Sequence, residues 1–312
     1  MTGESTGPAA ATPGRTGSGW PADVPRPQPP VWEVFDVEVD LRDTGQVVAR
    51  LGIDERLVAG NGLASAGLVA MLADCILGTD AALRARARIA TAVLTVDLVG
   101  SPPETGLLTA VSGDTGRRAG YLHTTAGIRD GADIEVARVN GWFAARGGPP
   151  VPSSPVAVPP PPVVPPVEPA GRSAQVAPPA EGAAAPSGAD LTATPLGRTL
   201  GLASFTHGPD GTVAFELPHV GRLTNSGGTL HGGVAALMAS VAALATLGSD
   251  VRPEVLSMTC HYLRGAGGDG RPVRVTGRQV RRGRTSAVVQ GDVLASDGRP
   301  AMHTVVTTAL DS

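Results

Sequence analysis

The 312-residue sequence contains no lysine, so all 25 basic side chains are arginines, and 28 acidic side chains outnumber them. The formal net charge is −3 and the pI is near 6.1. A dedicated nucleic-acid-binding domain is strongly basic, because it must neutralise phosphates. We therefore expect no nucleic-acid partner.

Cysteine is almost absent as well. Cys75 and Cys260 are too few for a disulfide framework, and neither belongs to a Cys/His cluster with the spacing of a zinc site. We expect both to be small buried residues. The histidines are scattered along the chain without ligand spacing, so the sequence predicts no metal site.

Two further features are missing from the sequence. No basic region followed by an apolar core opens the chain, which predicts no secretory signal. The longest apolar run, 232–248, is shorter than the roughly 20 residues that cross a bilayer. We therefore expect a soluble, cytoplasmic protein with no membrane partner.

Proline is abundant but unevenly distributed. Fourteen of the 29 prolines lie in 147–187 and seven more precede Val31. Such segments are typical of disorder and of semi-rigid spacers. The sequence thus predicts a disordered segment 1–30, a first unit 31–146, a Pro/Ala-rich linker 147–190 and a second unit 191–312.

Glycines and turns recur at a nearly constant offset on the two sides of the linker. Gly62 and Gly67 recur 166 residues later as Gly228 and Gly233. The same offset relates the turns at 43–45 and 209–211, and an offset of 167 relates Gly116 and Gly131 to Gly283 and Gly298. This pattern predicts two copies of one unit.

Each copy has the pattern of an α+β unit. In the second, alternation over 199–206 and 212–217 predicts two strands joined by a turn. The proline-free apolar stretch 232–247 predicts a buried helix, and four strands are predicted near 254–263, 272–281, 285–295 and 300–310. A curved antiparallel sheet wrapped around one central helix satisfies this pattern.

The segment from Asn225 to His231-Gly232-Gly233 resembles the loop-to-helix motif of hot-dog proteins, specifically the PaaI-type acyl-CoA thioesterases. The resemblance covers most of the second unit and, more weakly, the first. It implies two tandem hot-dog units that pair as an intrachain pseudo-dimer. It also implies an enzyme that hydrolyses acyl-CoA thioesters with no metal or redox cofactor. Whether two such chains pair in a homodimer stays open.

The two units carry complementary halves of the family's residue set. The family places an Asp nine residues after the His, where the second unit has Ser240. The first unit has Asp74 at the equivalent position, 166 residues earlier, but Ser65 and Ala59 replace the His and the Asn. The first unit is therefore degenerate in the motif but supplies the acid.

Helix geometry explains how such a split set could work. Nine residues turn a helix through about half a circle and rise about 13 Å, so the His and the Asp of one helix cannot meet. We expect a complete site made of Asp74 from the first unit with Asn225, His231 and Gly233 from the second. The same symmetry leaves an incomplete site around Ser65, Ala59 and Ser240.

The resemblance and the chemistry assign roles within the complete site. The N–H groups of Gly232 and Gly233, at the positive end of a helix, would hold the oxyanion, and glycine would let the acyl group lie against the backbone. Asp74 would activate water or attack the carbonyl, routes that the sequence does not separate. Asn225 would orient the water or the carboxylate, and His231 would hydrogen-bond near the thioester.

Each of these residues also has a purely structural interpretation. Asp74 could be an internally hydrogen-bonded acid, His231 a helix N-cap and Asn225 a turn residue. The arginine-rich segment 278–284 could be a solvated hairpin, or Arg282 and Arg284 could bind the coenzyme A phosphates.

Two other functions fit the same fold. A non-catalytic protein that binds acyl-CoA for regulation or scaffolding would bind the ligand without turnover. An enoyl-CoA hydratase needs a Gly-Asp-x-Asn-Pro-x-His segment, which neither unit contains. The acyl group itself is not predicted.

Overall fold

The computed structural model describes residues 28–146 and 190–310. The predicted disordered segment 1–30 and the predicted linker 147–190 therefore lie outside the described residues, apart from residues 28–30 and 190.

The first unit contains two helices and six strands. They are α1 (Val31–Phe35), β1 (Val37–Leu41), β2 (Val47–Ile53), α2 (Ser65–Ala85), β3 (Arg88–Leu98), β4 (Gly106–Arg118), β5 (Tyr121–Arg129) and β6 (Glu135–Arg146). A 3₁₀ turn, Glu55–Leu57, lies between β2 and α2.

The second unit repeats this order of elements. They are α3 (Pro195–Leu200), β7 (Ala203–His207), β8 (Val213–Leu217), α4 (Gly232–Ala245), β9 (Glu254–Tyr262), β10 (Val273–Arg282), β11 (Ser286–Leu294) and β12 (Pro300–Ala309). Here the 3₁₀ turn between β8 and α4 is Gly221–Leu223.

All twelve strands form one antiparallel sheet with a mirrored order, β1-β2-β4-β5-β6-β3-β9-β12-β11-β10-β8-β7. The units join where β3 pairs with β9. In that ladder Leu94 lies opposite Cys260, and these two residues are 166 positions apart, the offset of the repeat. A pseudo-two-fold axis therefore passes through this pair, which we call the axis pair.

The two long helices pack against each other inside the sheet. A Cβ added to Gly67 of α2 would lie 3.0 Å from Leu237 Cα, and one added to Gly233 of α4 would lie 2.8 Å from Met71 Cα. Because both contacts obey the offset of 166, the helices cross symmetrically and in opposite directions. The close approach requires glycine at both positions.

The longest apolar run expected from the sequence is 232–248. Among the described residues, the longest apolar helix is instead α2. Its length and composition would suit a membrane span, but 83% of the apolar window is buried within the fold. Leu68, Leu72 and Ile76 are among its fully buried side chains. The helix is apolar because the sheet surrounds it, as expected of a core helix.

The start of the second unit differs from the prediction. Residues 195–200, partly assigned to a strand by alternation, form α3, and β7 begins only at Ala203. The Thr194 side chain accepts a hydrogen bond from Gly197 N–H, Pro195 is the first helical residue and Gly201 ends the helix with φ 69°. These capping signals outweigh a short alternating pattern.

The first helix of each unit packs on the other unit. Leu196 N–H in α3 donates to Val58 O (3.1 Å), and Thr199 Oγ1 donates to Arg56 O (2.9 Å), both beside the first unit's 3₁₀ turn. Helix α1 packs correspondingly on the 3₁₀ turn of the second unit. The buried apolar residues of both units form one core.

Candidate active site

His231 stands at the entrance of α4. Its backbone is extended (φ −63°, ψ 136°), and its Nδ1 accepts a hydrogen bond from Gly233 N–H (3.1 Å). The residue is therefore the N-cap of α4, as the structural interpretation of the sequence expected. Its side chain is nevertheless buried beside a carboxylate, which a simple cap does not require.

The carboxylate is that of Asp74, which projects from α2 to the start of α4. Asp74 Oδ2 accepts from Gly233 N–H (2.7 Å) and lies 3.4 Å from His231 Nδ1. Its Oδ1 accepts from the Thr91 hydroxyl (2.9 Å) on β3. Asp74 is only 7% exposed. The structure thus brings the acid of one unit against the helix entrance of the other.

Burial controls the charge of His231. Removal from water lowers the pKa of its imidazole, and the nearby Asp74 carboxylate offsets this only in part. A neutral ring that accepts at Nδ1 carries its proton on Nε2. His231 therefore offers one N–H donor that the helix cap does not use.

The glycine pair differs in role from the prediction. Gly233 N–H is occupied by Asp74 and His231, so it is not a free oxyanion donor. Gly232 N–H has no acceptor among residues 28–146 and 190–310 and lies at the positive end of α4. A Cβ on Gly232 would lie 2.8 Å from Asp74 Oδ2. Glycine is needed here because Asp74 packs against the backbone.

Two residues of the site escaped the sequence analysis. Tyr262 donates its hydroxyl to Gly232 O (3.1 Å), and its ring borders the space next to Gly232. Burial raises the pKa of this phenol well above its ordinary value, so it stays a neutral donor. Thr91 orients Asp74. Neither belongs to the motif, and only the strand register brings them here.

Asn225 makes its hydrogen bonds within its own loop. Its Nδ2 donates to Thr229 Oγ1 (2.9 Å), and its Oδ1 accepts from Gly227 N–H (2.8 Å). Within the described chain, no hydrogen bond joins it to Asp74 or His231. Asn225 shapes the loop before α4, and its direct role in orienting water stays a prediction.

Arg282 and Arg284 lie away from these residues. Arg282 Nη1 donates to Leu247 O (2.9 Å), just beyond the C-terminal end of α4, and Arg284 is exposed. The fifteen-residue path from Gly232 to Leu247 is about 22 Å at the rise of a helix. Their predicted contact with coenzyme A phosphates stays a prediction, and the structure does not bring them to Asp74.

The incomplete site has little free volume. Ser240 donates its hydroxyl to Leu237 O within its own helix (2.8 Å) and is fully buried. Ser65 and Ala59 border a cavity of only about 10 Å³.

The cysteines do not supply a nucleophile. Burial raises the pKa of Cys260 to about 12 and that of Cys75 well above its ordinary value, so both thiols stay protonated. Over residues 28–146 and 190–310, no group of three His, Cys, Asp or Glu side chains could hold a metal ion.

Comparison with known proteins places residues 220–309, in the second unit, in the family model of the acyl-CoA thioesterase N-terminal domain. This is the enzyme class predicted for the chain, a thioester hydrolase. No curated protein sequence matches the chain.

Three solved structures share the architecture of both units. A tesB protein of Mycobacterium avium subsp. paratuberculosis is 10% identical with a TM-score of 0.57, covering 88% of this chain and 96% of that one. The acyl-CoA thioesterase II TesB2 of Mycobacterium marinum is 12% identical, with a TM-score of 0.55 and coverages of 90% and 98%. A hot-dog protein of unknown function from Alicyclobacillus acidocaldarius is 13% identical, with a TM-score of 0.55 and coverages of 88% and 96%. The predicted α+β hot-dog fold is confirmed.

Proposed function

We propose that this chain hydrolyses acyl-CoA thioesters at the complete site, one site per chain, with the residue set of the PaaI-type enzymes divided between its units. The observation that carries the proposal is the hydrogen bond from Gly233 N–H to Asp74 Oδ2, which joins the acid of the first unit to the helix entrance of the second. The thioesterase family match of the second unit supports the reaction class.

The oxyanion is stabilised at the start of α4. The thioester oxygen accepts from Gly232 N–H, which is free among the described residues and aligned with the positive end of the helix dipole. Tyr262 donates to the Gly232 carbonyl and so holds that peptide in place. The Nε2–H of neutral His231 is a second donor near the thioester.

Asp74 performs the attack by one of two routes. Each carboxylate oxygen accepts one hydrogen bond, from Thr91 or from Gly233, and each can accept another. As a general base, Asp74 takes a proton from water while the water oxygen attacks the carbonyl carbon. As a nucleophile, it forms a mixed anhydride that water then cleaves. Both routes release a carboxylic acid and the coenzyme A thiol.

The test compares Asp74 with the residue at its symmetry-related position. We expect Asp74→Asn to lower kcat/KM for acyl-CoA by at least about 100-fold, the usual contribution of a positioned acid or base. Ser240→Ala is the matched control, because this hydroxyl bonds only within its own helix. A panel of acyl-CoAs, assayed by thiol release, supplies the substrate.

The outcomes separate the two candidate functions. Equal rates in wild type and Asp74→Asn would remove Asp74 from the mechanism. Acyl-CoA binding with turnover no faster than buffer would favour the non-catalytic binding protein. Cytoplasmic location, a homodimer of two chains and the lack of membrane or nucleic-acid partners stay predictions.

A further inference from the structure

The ladder that joins the units is unequal on the two sides of its axis pair. It extends three residue pairs toward the incomplete site but only one, Val93–His261, toward the complete site. Just past this pair, a bulge at Ala92 interrupts the register of β3 with β6. β3 and β9 are therefore not paired with each other beside Thr91 and Tyr262, the two strand residues that contact the complete site, and we take this as an opening between the two strands.

A pocket of about 370 Å³ lies next to this opening on the outer face of the sheet. It is lined by Ala92, Val93, Arg118, Ala119, Tyr121 and Trp142. Phe143 is fully buried toward α2, so its neighbour Trp142 faces outward. Trp142 contacts the His123 ring (centroids 4.7 Å apart), and Tyr121 is 42% exposed.

This pocket has the composition of a site for a planar ring. Only 3% of the residues in the chain are Phe, Trp or Tyr, yet two of them border one open pocket. Aromatic side chains bind flat π-systems by offset stacking or edge-to-face contact. The outer pocket therefore favours a heterocyclic base over a flexible acyl chain.

Three exposed arginines lie in or along the strands from this pocket. Arg118 lines it, while Arg88 and Arg146 occupy directly opposing positions on β3 and β6. Arg146 is on the same face as Trp142, because four residues separate them along one strand. Like charges in opposing positions destabilise a sheet. In the described chain no hydrogen bond or ion pair engages these three guanidinium groups, so an anion is the expected partner.

We propose that this surface binds the nucleotide end of acyl-CoA, a refinement that rests on the proposed function. The adenine stacks on Trp142 and Tyr121, and Arg88, Arg118 and Arg146 hold the phosphates by charge-assisted hydrogen bonds. The pantetheine arm then passes through the opening between β3 and Tyr262 to the complete site.

Distances along the elements favour this surface over Arg282 and Arg284. Arg88 lies three residues from Thr91 on one strand, about 10 Å, and Thr91 contacts Asp74. Arg282 instead bonds to Leu247, beyond the far end of α4. The phosphate-binding arginines therefore belong to the first unit, whereas the helix entrance belongs to the second.

The experiment compares two substrates with the same acyl group, acyl-CoA and acyl-pantetheine, which lacks the nucleotide. The variant is Arg88→Gln/Arg118→Gln/Arg146→Gln, and Arg271→Gln/Arg274→Gln/Arg278→Gln, three exposed arginines on or beside β10, is the charge-matched control. We expect the triple variant to raise KM for acyl-CoA at least tenfold with kcat preserved. Neither variant should change kcat/KM for acyl-pantetheine.

A binding measurement keeps this inference separate from catalysis. Free coenzyme A should change the fluorescence of Trp142 in wild type, the change should vanish in Trp142→Phe, and the triple arginine variant should bind at least tenfold more weakly. Absence of any hydrolysis, with this binding intact, would overturn the proposed function and leave the nucleotide site supported. An unchanged KM in the triple variant, or a rise in KM with Arg282→Gln/Arg284→Gln instead, would overturn the nucleotide site.

Discussion

The complete and the incomplete site occupy symmetry-related positions, yet they differ in their residues and in the contacts that these residues make. Asp74 reaches across to the other helix, whereas Ser240 bonds back to its own helix at Leu237. The β3–β9 ladder extends one residue pair from the axis pair on the side of Thr91 but three pairs on the other side. The two sites thus differ both in the contacts of the residue at the acid position and in the pairing of the strands beside them.

The comparison also shows why each unit could lose only one half of the motif. The Asp of a unit and the helix entrance of that unit serve different sites, because the two helices run in opposite directions past each other. Replacing the Asp of the second unit by Ser240 therefore affects the incomplete site alone. Ser65 and Ala59, at the His and Asn positions of the first unit, belong to that same incomplete site.

The largest effect is expected at the glycine that differs between the sites. Gly232 corresponds to Ala66 in the first unit. The residue that faces the helix start there is Ser240, which is shorter than Asp74. Gly232→Ala puts a Cβ 2.8 Å from Asp74 Oδ2 and should lower kcat/KM by about 100-fold or more, because it displaces the carboxylate. Steady-state kinetics with acyl-CoA measures this change.

Ala66→Gly is the control for that prediction. It should leave turnover unchanged and cost at most about 1 kcal/mol of unfolding free energy, the usual penalty of glycine in a helix. Equal losses of activity in the two variants would contradict the assignment of the complete site.

A moderate effect is expected in the pH dependence of stability. Burial holds the pKa of His231 below its ordinary value of 6.5, so the unfolded chain binds a proton at a higher pH than the folded one. The free energy of unfolding should therefore fall as the pH drops below about 6.5. Denaturation at several pH values should show a weaker dependence in His231→Gln than in wild type.

Ser65→Ala, at the equivalent position of the incomplete site, should retain the wild-type pH dependence. The pKa of His123 is also lowered by burial and contributes to all three proteins, so only differences between them are informative. Identical pH dependence in wild type and His231→Gln would contradict the assigned charge state.

No effect is expected from restoring the missing side chains. In an Asp74→Asn background, Ser240→Asp/Ser65→His/Ala59→Asn should give no measurable turnover, because the cavity there is only about 10 Å³. At the incomplete site, the position equivalent to Tyr262 is occupied by Val96, which has no hydroxyl. Recovered thiol release would show that the three side chains suffice for turnover and that the small cavity does not prevent it.

The fold could be predicted from the sequence because the repeated glycines mark positions where the backbone itself requires glycine. Glycines such as Gly67 and Gly233 are required where the two helices touch, so the repeat preserves them. The prediction of a strand over 199–206 was partly wrong, because a short alternation carries less information than the capping signals at Thr194 and Gly201.

The site was predictable only as far as the motif extends. Asp74 and His231 follow from spacing and helix geometry, but Thr91 and Tyr262 depend on strand register, which composition does not specify. That Gly233 N–H, and not Gly232 N–H, is occupied follows from where the Asp74 carboxylate packs. Tertiary contacts of this kind leave no local pattern in the sequence.

The joining of both units in one chain has a consequence for assembly. If the units were separate proteins with similar interfaces, many pairs would contain two acids without a helix entrance or two entrances without an acid. A covalent tether makes the encounter intramolecular, at a high effective concentration, and fixes the composition of every pair. Fusion thus ensures that each pair of units contains Asp74 from the first unit and the helix entrance of the second.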